Sequence, residues 1–442
     1  MRELPAPDWE QVKVADVIER HFCGPSPDCE ERPVFDDAEW GVLKTTAITW
    51  SGWNQDAHKA LPRAYWGREG IEVKAGDVLV TKAGPRHRVA VVTHVPATRR
   101  HLVVSGKMIG LRPRNDLVLP EVLAGLLALV GPQKYIHDRT TGMAESQVNF
   151  ANDVLLATPL QLPPVPEQMG IAQIAGVLDT TIRQTEAIIE KLRQVKQGLL
   201  HDLLTRGIDE NGEVRSPQSQ SPHLYKESPL GWIPREWRAD VLRNALAGID
   251  GGWSPECLEI TPPAGHWGVL KLSAITSGRY VPSESKTLPD TLRPDPSVEV
   301  REGDVLLARA NGVAELVATT VFVDATPDRL MLSDKTLRLR PLSGTLSPRF
   351  LAILMAFDLT RRQIRGMLNG SSGQQNISQR QIRNLVVALP PLVEQTVIES
   401  RLVSVENRID AEVHAAGKLR CAKAGLMDDL LTGRVRVTPL LA

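Results

Sequence analysis

The stretch EKLRQVKQGLLHDLLTRG, Glu190 to Gly207, returns farther along the chain as AAGKLRCAKAGLMDDLLTG, Ala415 to Gly433. Lys423 minus Lys196, Gly425 minus Gly198, Asp429 minus Asp202 and Leu430 minus Leu203 each give 227. One offset held over a helix-like pattern reads as an internal duplication.

The same offset extends upstream. WGVLKTTAIT begins at Trp40 and WGVLKLSAIT at Trp267, again 227 apart. VKAGDVLVTKAG, Val73 to Gly84, matches VREGDVLLARANG, Val300 to Gly312. Gly76-Asp77 and Gly303-Asp304 before apolar residues read as turns leading into buried strands, which gives Asp77 and Asp304 a structural role. ESQVNFANDVLLATPLQLPPVPEQ aligns with GQQNISQRQIRNLVVALPPLVEQ, matching Asn149 to Asn376, Pro163-Pro164 to Pro390-Pro391 and Glu167-Gln168 to Glu394-Gln395. The anchors share one offset, so no insertion is expected between them. Only Trp9 and Trp237, 228 apart, imply a residue gained or lost.

Prolines before Glu167 and Glu394, and glycines after the last leucines, punctuate two helices. Glu167 to Thr205 is about 39 residues, roughly 58 Å of helix. Leu178, Ile182, Ile189, Leu192, Leu199 and Leu203 form an apolar stripe, repeated as Val405, Ile409, Ala416, Leu419, Leu426 and Leu430. The stripe needs a partner surface, either the other helix or the helix's own domain. Gly198 and Gly425 would weaken a helix by about 1 kcal/mol each, which suggests a close backbone approach there. SPQSQSPHLYKES, Ser216 to Ser228, reads as a mobile linker.

The chain has 442 residues and equal totals of 52 basic and 52 acidic side chains, so nucleic-acid contact would depend on local clusters. Residues 1 to 39 carry four basic against eleven acidic groups, whereas residues 40 to 160 carry 15 against nine. Cys23, Cys29, Cys257 and Cys421 show no CxxC spacing and the histidines no HxxxH pattern, which argues against a metal site. No signal core or 18-residue apolar run is present, so a cytoplasmic protein without a membrane span is expected. Walker A, Gly-rich dinucleotide, S-adenosylmethionine-loop, GxSxG and Asn-Pro-Pro-aromatic patterns are all missing. No catalytic residue is assigned, and the chain is expected to bind no cofactor.

Candidate DNA contacts are loop cations and amides, because Arg and Lys read guanine edges while Asn and Gln read adenine. In the first half these are Lys44, Thr45, Lys82, Arg86, Arg88, Arg112 and Arg114. In the second they are Lys271, Arg309, Arg361, Arg362, Arg365, Gln374 and Asn376, the last two in the amide-rich NGSSGQQN, read as a flexible loop. Lys82 and Arg309 read equally as phosphate contacts or as solvated cations. Trp50, Trp53 and Trp66 read as base-stacking or core residues.

The repeated helix ends, the PPxxEQ prelude, the GxIPxxW entry at Gly231 to Trp237 and the GDVLL strand at Gly303 together resemble the specificity subunit of a type I restriction-modification system. The resemblance covers both halves. It implies an α+β, internally duplicated chain: two globular α/β target recognition domains, each followed by a long helix, with the helices paired as an antiparallel coiled coil. The expected segments are residues 1–160, a first recognition domain; 161–210, a central helix; 211–229, a linker; 230–388, a second recognition domain; and 389–442, a C-terminal helix. The resemblance further implies a non-catalytic reader of a bipartite site on double-stranded DNA, with the helices as spacer. Partners would be two modification subunits using S-adenosylmethionine to methylate adenine and two restriction subunits using ATP and Mg. A self-contained methyltransferase or nuclease with unfamiliar motifs is the alternative.

Overall fold

The computed structural model describes residues 9–437 apart from 51, 145 and 372. Residues 1–8 of the expected first domain and 438–442 of the expected last segment lie outside the described residues. The chain forms two compact units, one from residues 1–186 with 414–442 and the other from 187–413. The division falls inside both long helices rather than at the expected domain ends.

Each unit is built on a four-stranded antiparallel sheet with the same order. In the first it runs Ile18–Phe22, Met108–Pro113, Val78–Thr81, Val92–His94, and in the second Leu246–Gly251, Thr336–Pro341, Val305–Ala308, Thr320–Phe322. Val78–Thr81 and Val305–Ala308 are buried at every position, as continuous apolar runs require of an inner strand. The Gly-Asp turns precede them with φ of 90° at Gly76 and 89° at Gly303. Asp77 accepts from the Lys74 N–H at 2.8 Å and Asp304 from the Arg301 N–H at 2.9 Å. Even backbone strain is duplicated. Ala90 and Ala318 hold φ of 61° and 59°, and His101 and Arg329 hold 63° and 64°, a conformation that costs a non-glycine residue on the order of 1 kcal/mol or more.

The long helices span Val165–Thr205 and Leu392–Leu431. They pack together antiparallel within each unit. In the first, Asp179 meets Lys423 at 2.5 Å and Glu186 meets Arg420; in the second, Lys196 meets Glu406 at 2.5 Å while Ile208, just past the central helix, meets Glu394 at the start of the other. The predicted stripe residues are buried or half-buried throughout, with exposed residues between them. The first core takes in Ile171 from the start of one helix and Leu430 and Leu431 from the end of the other. The second takes in Leu203 and Leu204 with Ile398 and Leu402. Each globular core therefore absorbs one beginning and one end, which is why the units divide mid-helix.

The Glu-Gln pair of each helix prelude explains this joining. Gln168 and Gln395 are fully buried. Gln168 accepts from the Leu119 N–H at 2.9 Å and donates to the carbonyls of Leu117 and Pro163, at 2.9 and 2.8 Å. Gln395 does the same with Ser347, Thr345 and Pro390, each at 2.9 Å. The glutamates accept an arginine delivered by the segment after the other helix. Arg436 pairs with Glu167, its Nε at 2.9 Å, and Arg215 pairs with Glu394 at 2.6 Å. Glu394 also accepts from the Ile208 N–H at 2.7 Å and from Trp237 Nε1 at 2.9 Å. Gly207 (φ 64°) lets the chain turn here, and an added Cβ would lie 2.1 Å from Glu394 Oε1.

Four expectations are corrected. Gly198 and Gly425 make no close approach, because a Cβ at either would meet nothing within 4 Å; both lie on exposed faces. The supposed linker ends in a hairpin, Tyr225–Ser228 against Gly231–Pro234, whose Tyr225 is buried and donates to the Ser216 carbonyl at 2.7 Å. NGSSGQQN contains two paired strands, Asn369–Ser371 and Gln374–Asn376. The anchors also hide an insertion. Ala83–Gly84 and Ala310–Asn311 are 227 apart, but Arg86–Arg88 and Ala314–Leu316 are 228 apart, and the offset returns to 227 by Gln147–Asn149 and Gln374–Asn376.

Truncating Glu394→Ala removes the buried carboxylate shared by Arg215, Trp237 and the Ile208 N–H, leaving Arg215 with Glu236 at 3.5 Å and the Arg206 carbonyl, and should cost about 3–5 kcal/mol. Glu406→Ala, which removes a half-exposed ion pair with Lys196, should cost about 1 kcal/mol or less. Urea unfolding midpoints measure both, and equal losses would remove the special weight given to the buried glutamate.

Candidate nucleic-acid interface

A small three-stranded sheet recurs in both units. In the first its order is Thr141–Ala144, Gln147–Asn149, Ala83–Gly84, and in the second Asn369–Ser371, Gln374–Asn376, Ala310–Asn311. Short strands rich in glycine and amides bury little apolar surface, so they are held from outside. The Lys82 N–H donates to the Lys107 carbonyl at 2.8 Å, and the Arg309 N–H to the Lys335 carbonyl at 2.9 Å. Each sheet thereby acquires two flanking cations, Lys82 with Lys107 and Arg309 with Lys335. In the second unit Asn311, Gly312, Lys335, Gly373 and Gln374 line an open cleft of about 280 Å³.

Several predicted contacts serve the fold. The Arg88 guanidinium donates to the carbonyls of Thr45 and Ile48, at 2.7 and 2.9 Å. Thr45 is half-buried and enters the arrangement through this carbonyl. Arg112 forms a two-pronged pair with buried Asp77, at 2.8 and 2.9 Å, and that hydrogen bonding raises its pKa. Arg361 reaches the carbonyls of Val317 and Glu315, at 2.8 and 2.6 Å. Burial, with Arg365 alongside, holds the Arg361 guanidinium below the usual arginine range. Lys82 Nζ donates to Asn152 at 2.8 Å. Lys44 pairs with Glu31 at 3.3 Å and Lys271 with Glu259 at 3.7 Å. Arg88, Arg112 and Arg361 thus commit guanidinium donors to partners inside the protein.

Other candidates face outward. Arg86, Arg362 and Arg365 are exposed, as is Arg114, which lies 3.2 Å from Asp116. Gln374 is exposed, whereas Asn376, paired in the ladder with Ala310 and Asn369, is half-buried. Arg309 is half-buried beside the amide strands. Trp50 is 56% exposed, while Trp53 and Trp66 donate to the carbonyls of Ala97 and Leu61, at 2.9 and 2.7 Å. The acidic N-terminal region is internally neutralised in part, with Arg32 and the Phe35 N–H holding the Glu39 carboxyl at about 2.

Sequence reasoning missed Lys107, Lys335, Asn311 and Gln147. Lys107 and Lys335 are 228 apart and become visible only once the inserted residue is recognised. Among the described residues no group of three or more His, Cys, Asp or Glu side chains could hold a metal ion, and no helix is long and apolar enough to cross a membrane.

The sequence profile of the type I restriction modification DNA specificity domain matches residues 273–415. The chain is 31% identical over 254 residues to the type I restriction enzyme EcoEI specificity subunit of Escherichia coli, covering 57% of this chain and 41% of that protein. It is 25% identical over 341 residues to the MjaVIII specificity subunit of Methanocaldococcus jannaschii, covering 76% and 75%. Among solved structures, a chain of a type I R-M system matches with a TM-score of 0.54 at 16% identity, over 98% of this chain and all (100%) of that one. The type I restriction-modification S subunit of M. genitalium matches with a TM-score of 0.52 at 13% identity, over 97% and 98%.

Arg88→Ala, which takes the guanidinium away from the carbonyls of Thr45 and Ile48, should lower stability by about 1–3 kcal/mol. Lys107→Ala should change it by no more than about 0.5 kcal/mol. Thermal unfolding separates them, and a silent Arg88→Ala would return that residue to the surface-contact candidates.

Proposed function

We propose that this chain, whose sequence and fold are similar to those of type I restriction-modification specificity subunits, reads DNA on behalf of catalytic partners and carries out no chemistry itself. The observation that carries the reading is the pair of small sheets, one in each unit, that set amide side chains beside cations held at the same backbone position. Cations of this kind fix register through phosphates, and amides discriminate bases.

Each unit reads one half-site, so the recognised sequence on double-stranded DNA is bipartite. The two long helices, 41 and 40 residues, carry the chain between the units and act as spacer, leaving the intervening bases unread. Two modification subunits supply adenine methylation with S-adenosylmethionine, and two restriction subunits supply ATP- and Mg-dependent cleavage. The outer faces of the helices contribute to the modification-subunit dock. Lys107 and Lys335, whose backbones support the small sheets and whose side chains are exposed, are the phosphate contacts.

Selection from random DNA by the full chain should return two short words separated by a fixed, unselected gap. One continuous word, or none, would overturn the reading. Affinity should also fall steeply with salt, and the double variant Lys107→Ala/Lys335→Ala should flatten the logarithmic slope by about 2, since each phosphate contact contributes about 0.9. Methyl transfer or cleavage by the purified chain alone would favour a self-contained enzyme instead.

A further inference from the structure

The two small sheets share a backbone but not a surface. After the first strand the first unit continues Gly84-Pro85-Arg86-His87-Arg88, whereas the second continues Asn311-Gly312-Val313-Ala314-Glu315 with one residue more. The equivalent of Asn311 is Gly84, so where the first unit has a glycine the second places a further amide, and Asn311 and Gln374 share the rim of one cleft.

Three features of that cleft suit it to the edge of a base pair. Asn311 Oδ1 accepts from the Val313 N–H at 2.9 Å, which fixes the amide and leaves its Nδ2 as the available donor. Gln374 is exposed on the central strand with no side-chain partner among the described residues, so it keeps both a donor and an acceptor. Gly312 and Gly373 keep the wall low. A Cβ at Gly312 would lie 3.3 Å from the Gly373 carbonyl, and Gly373 holds φ of 114°. Lys335 supplies a cation on the same cleft for the adjoining phosphate.

We infer that this cleft reads an adenine in the half-site of the second unit, with Gln374 bidentate to its N6 and N7, Asn311 donating alongside and Lys335 on the backbone. The assignment rests on the DNA-reading function proposed above and adds a base and a position to it. An amide matches adenine because N6 donates and N7 accepts, whereas guanine presents two acceptors there and favours arginine. Gln374 therefore determines specificity at one position, and Lys335 contributes affinity without base preference.

The test is selection from random DNA with the full chain and its Gln374→Ala, Gln374→Arg and Lys335→Ala variants, followed by titration against single-base substitutions of the selected site. Gln374→Ala should erase preference for one adenine, a loss of about 5- to 150-fold in discrimination at that position, with the other half-site unchanged. Gln374→Arg should move the preference there from adenine to guanine, an outcome that misfolding cannot imitate. Lys335→Ala should weaken binding to all sequences equally. The inference is overturned if the adenine survives in both Gln374 variants, if the relaxed base is not adenine, or if Gln374→Ala only lowers affinity uniformly. A wild-type chain that selects no sequence overturns the DNA-reading function itself, which distinguishes that failure from a wrong base.

Discussion

A buried carboxylate in the first turn of each long helix fixes how this chain is put together. Glu167 and Glu394 are 3% and 9% exposed, where an unpaired charge is untenable. The helix N-terminus favours the negative charge, but backbone N–H groups do not replace a counter-ion. The cation comes from the segment that follows the other helix. That requirement brings the end of one helix to the beginning of the other inside each unit, and an antiparallel pair satisfies it. The surface ion pairs along the helices follow from this arrangement and contribute little by themselves.

The glutamine beside each glutamate carries the constraint into the globular part. Its acceptor holds the backbone entering a short helix, Pro120–Ala128 or Pro348–Ala356, and its donors hold the proline prelude. The short helix packs on the four-stranded sheet, whose inner strand begins at the Gly-Asp turn. The small amide sheet starts just beyond the end of that strand, so its position is set by a chain of buried contacts reaching back to the helix prelude. Rigid support of this kind lets a few exposed side chains keep a defined geometry although their own sheet buries little more than Val148 or Ala310.

Much of this was legible in the sequence for a physical reason. Turns, buried strands and helix stripes are local patterns, and the duplication doubled each signal. The clamp was not legible, because Arg436 and Glu167 lie 269 residues apart and Arg215 and Glu394 lie 179 apart. The EQ pairs could be seen to recur, but nothing nearby said what they hold. Gly198 and Gly425 misled because glycine in a helix permits contact without requiring it. The Ser- and Pro-rich stretch misled because its composition hides Tyr225, a single buried anchor. Among the site candidates, residue type could not separate Arg88, Arg112 and Arg361, which grip carbonyls or a buried aspartate, from Lys107 and Lys335, whose only signal was an offset displaced by one residue.

That displaced residue shows where the two copies were free to diverge. At Ala90 and Ala318 the strained backbone is kept, each N–H donating into the preceding inner strand, to the carbonyls of Thr81 and Ala308 at 2.8 and 2.7 Å. Gln168, Gln395 and the Gly-Asp turns are kept for the same reason: each position is determined by several contacts at once. Between the inner strand and the strained alanine the chain passes through exposed backbone, where an added residue costs only a little loop entropy. Here one copy became cationic, with Arg86, His87 and Arg88, and the other neutral, with Asn311 and Gly312. A duplicated scaffold that tolerates change only at such rims can alter what each half contacts without altering how the halves are built. Difference between the two surfaces is then the expected product of the packing.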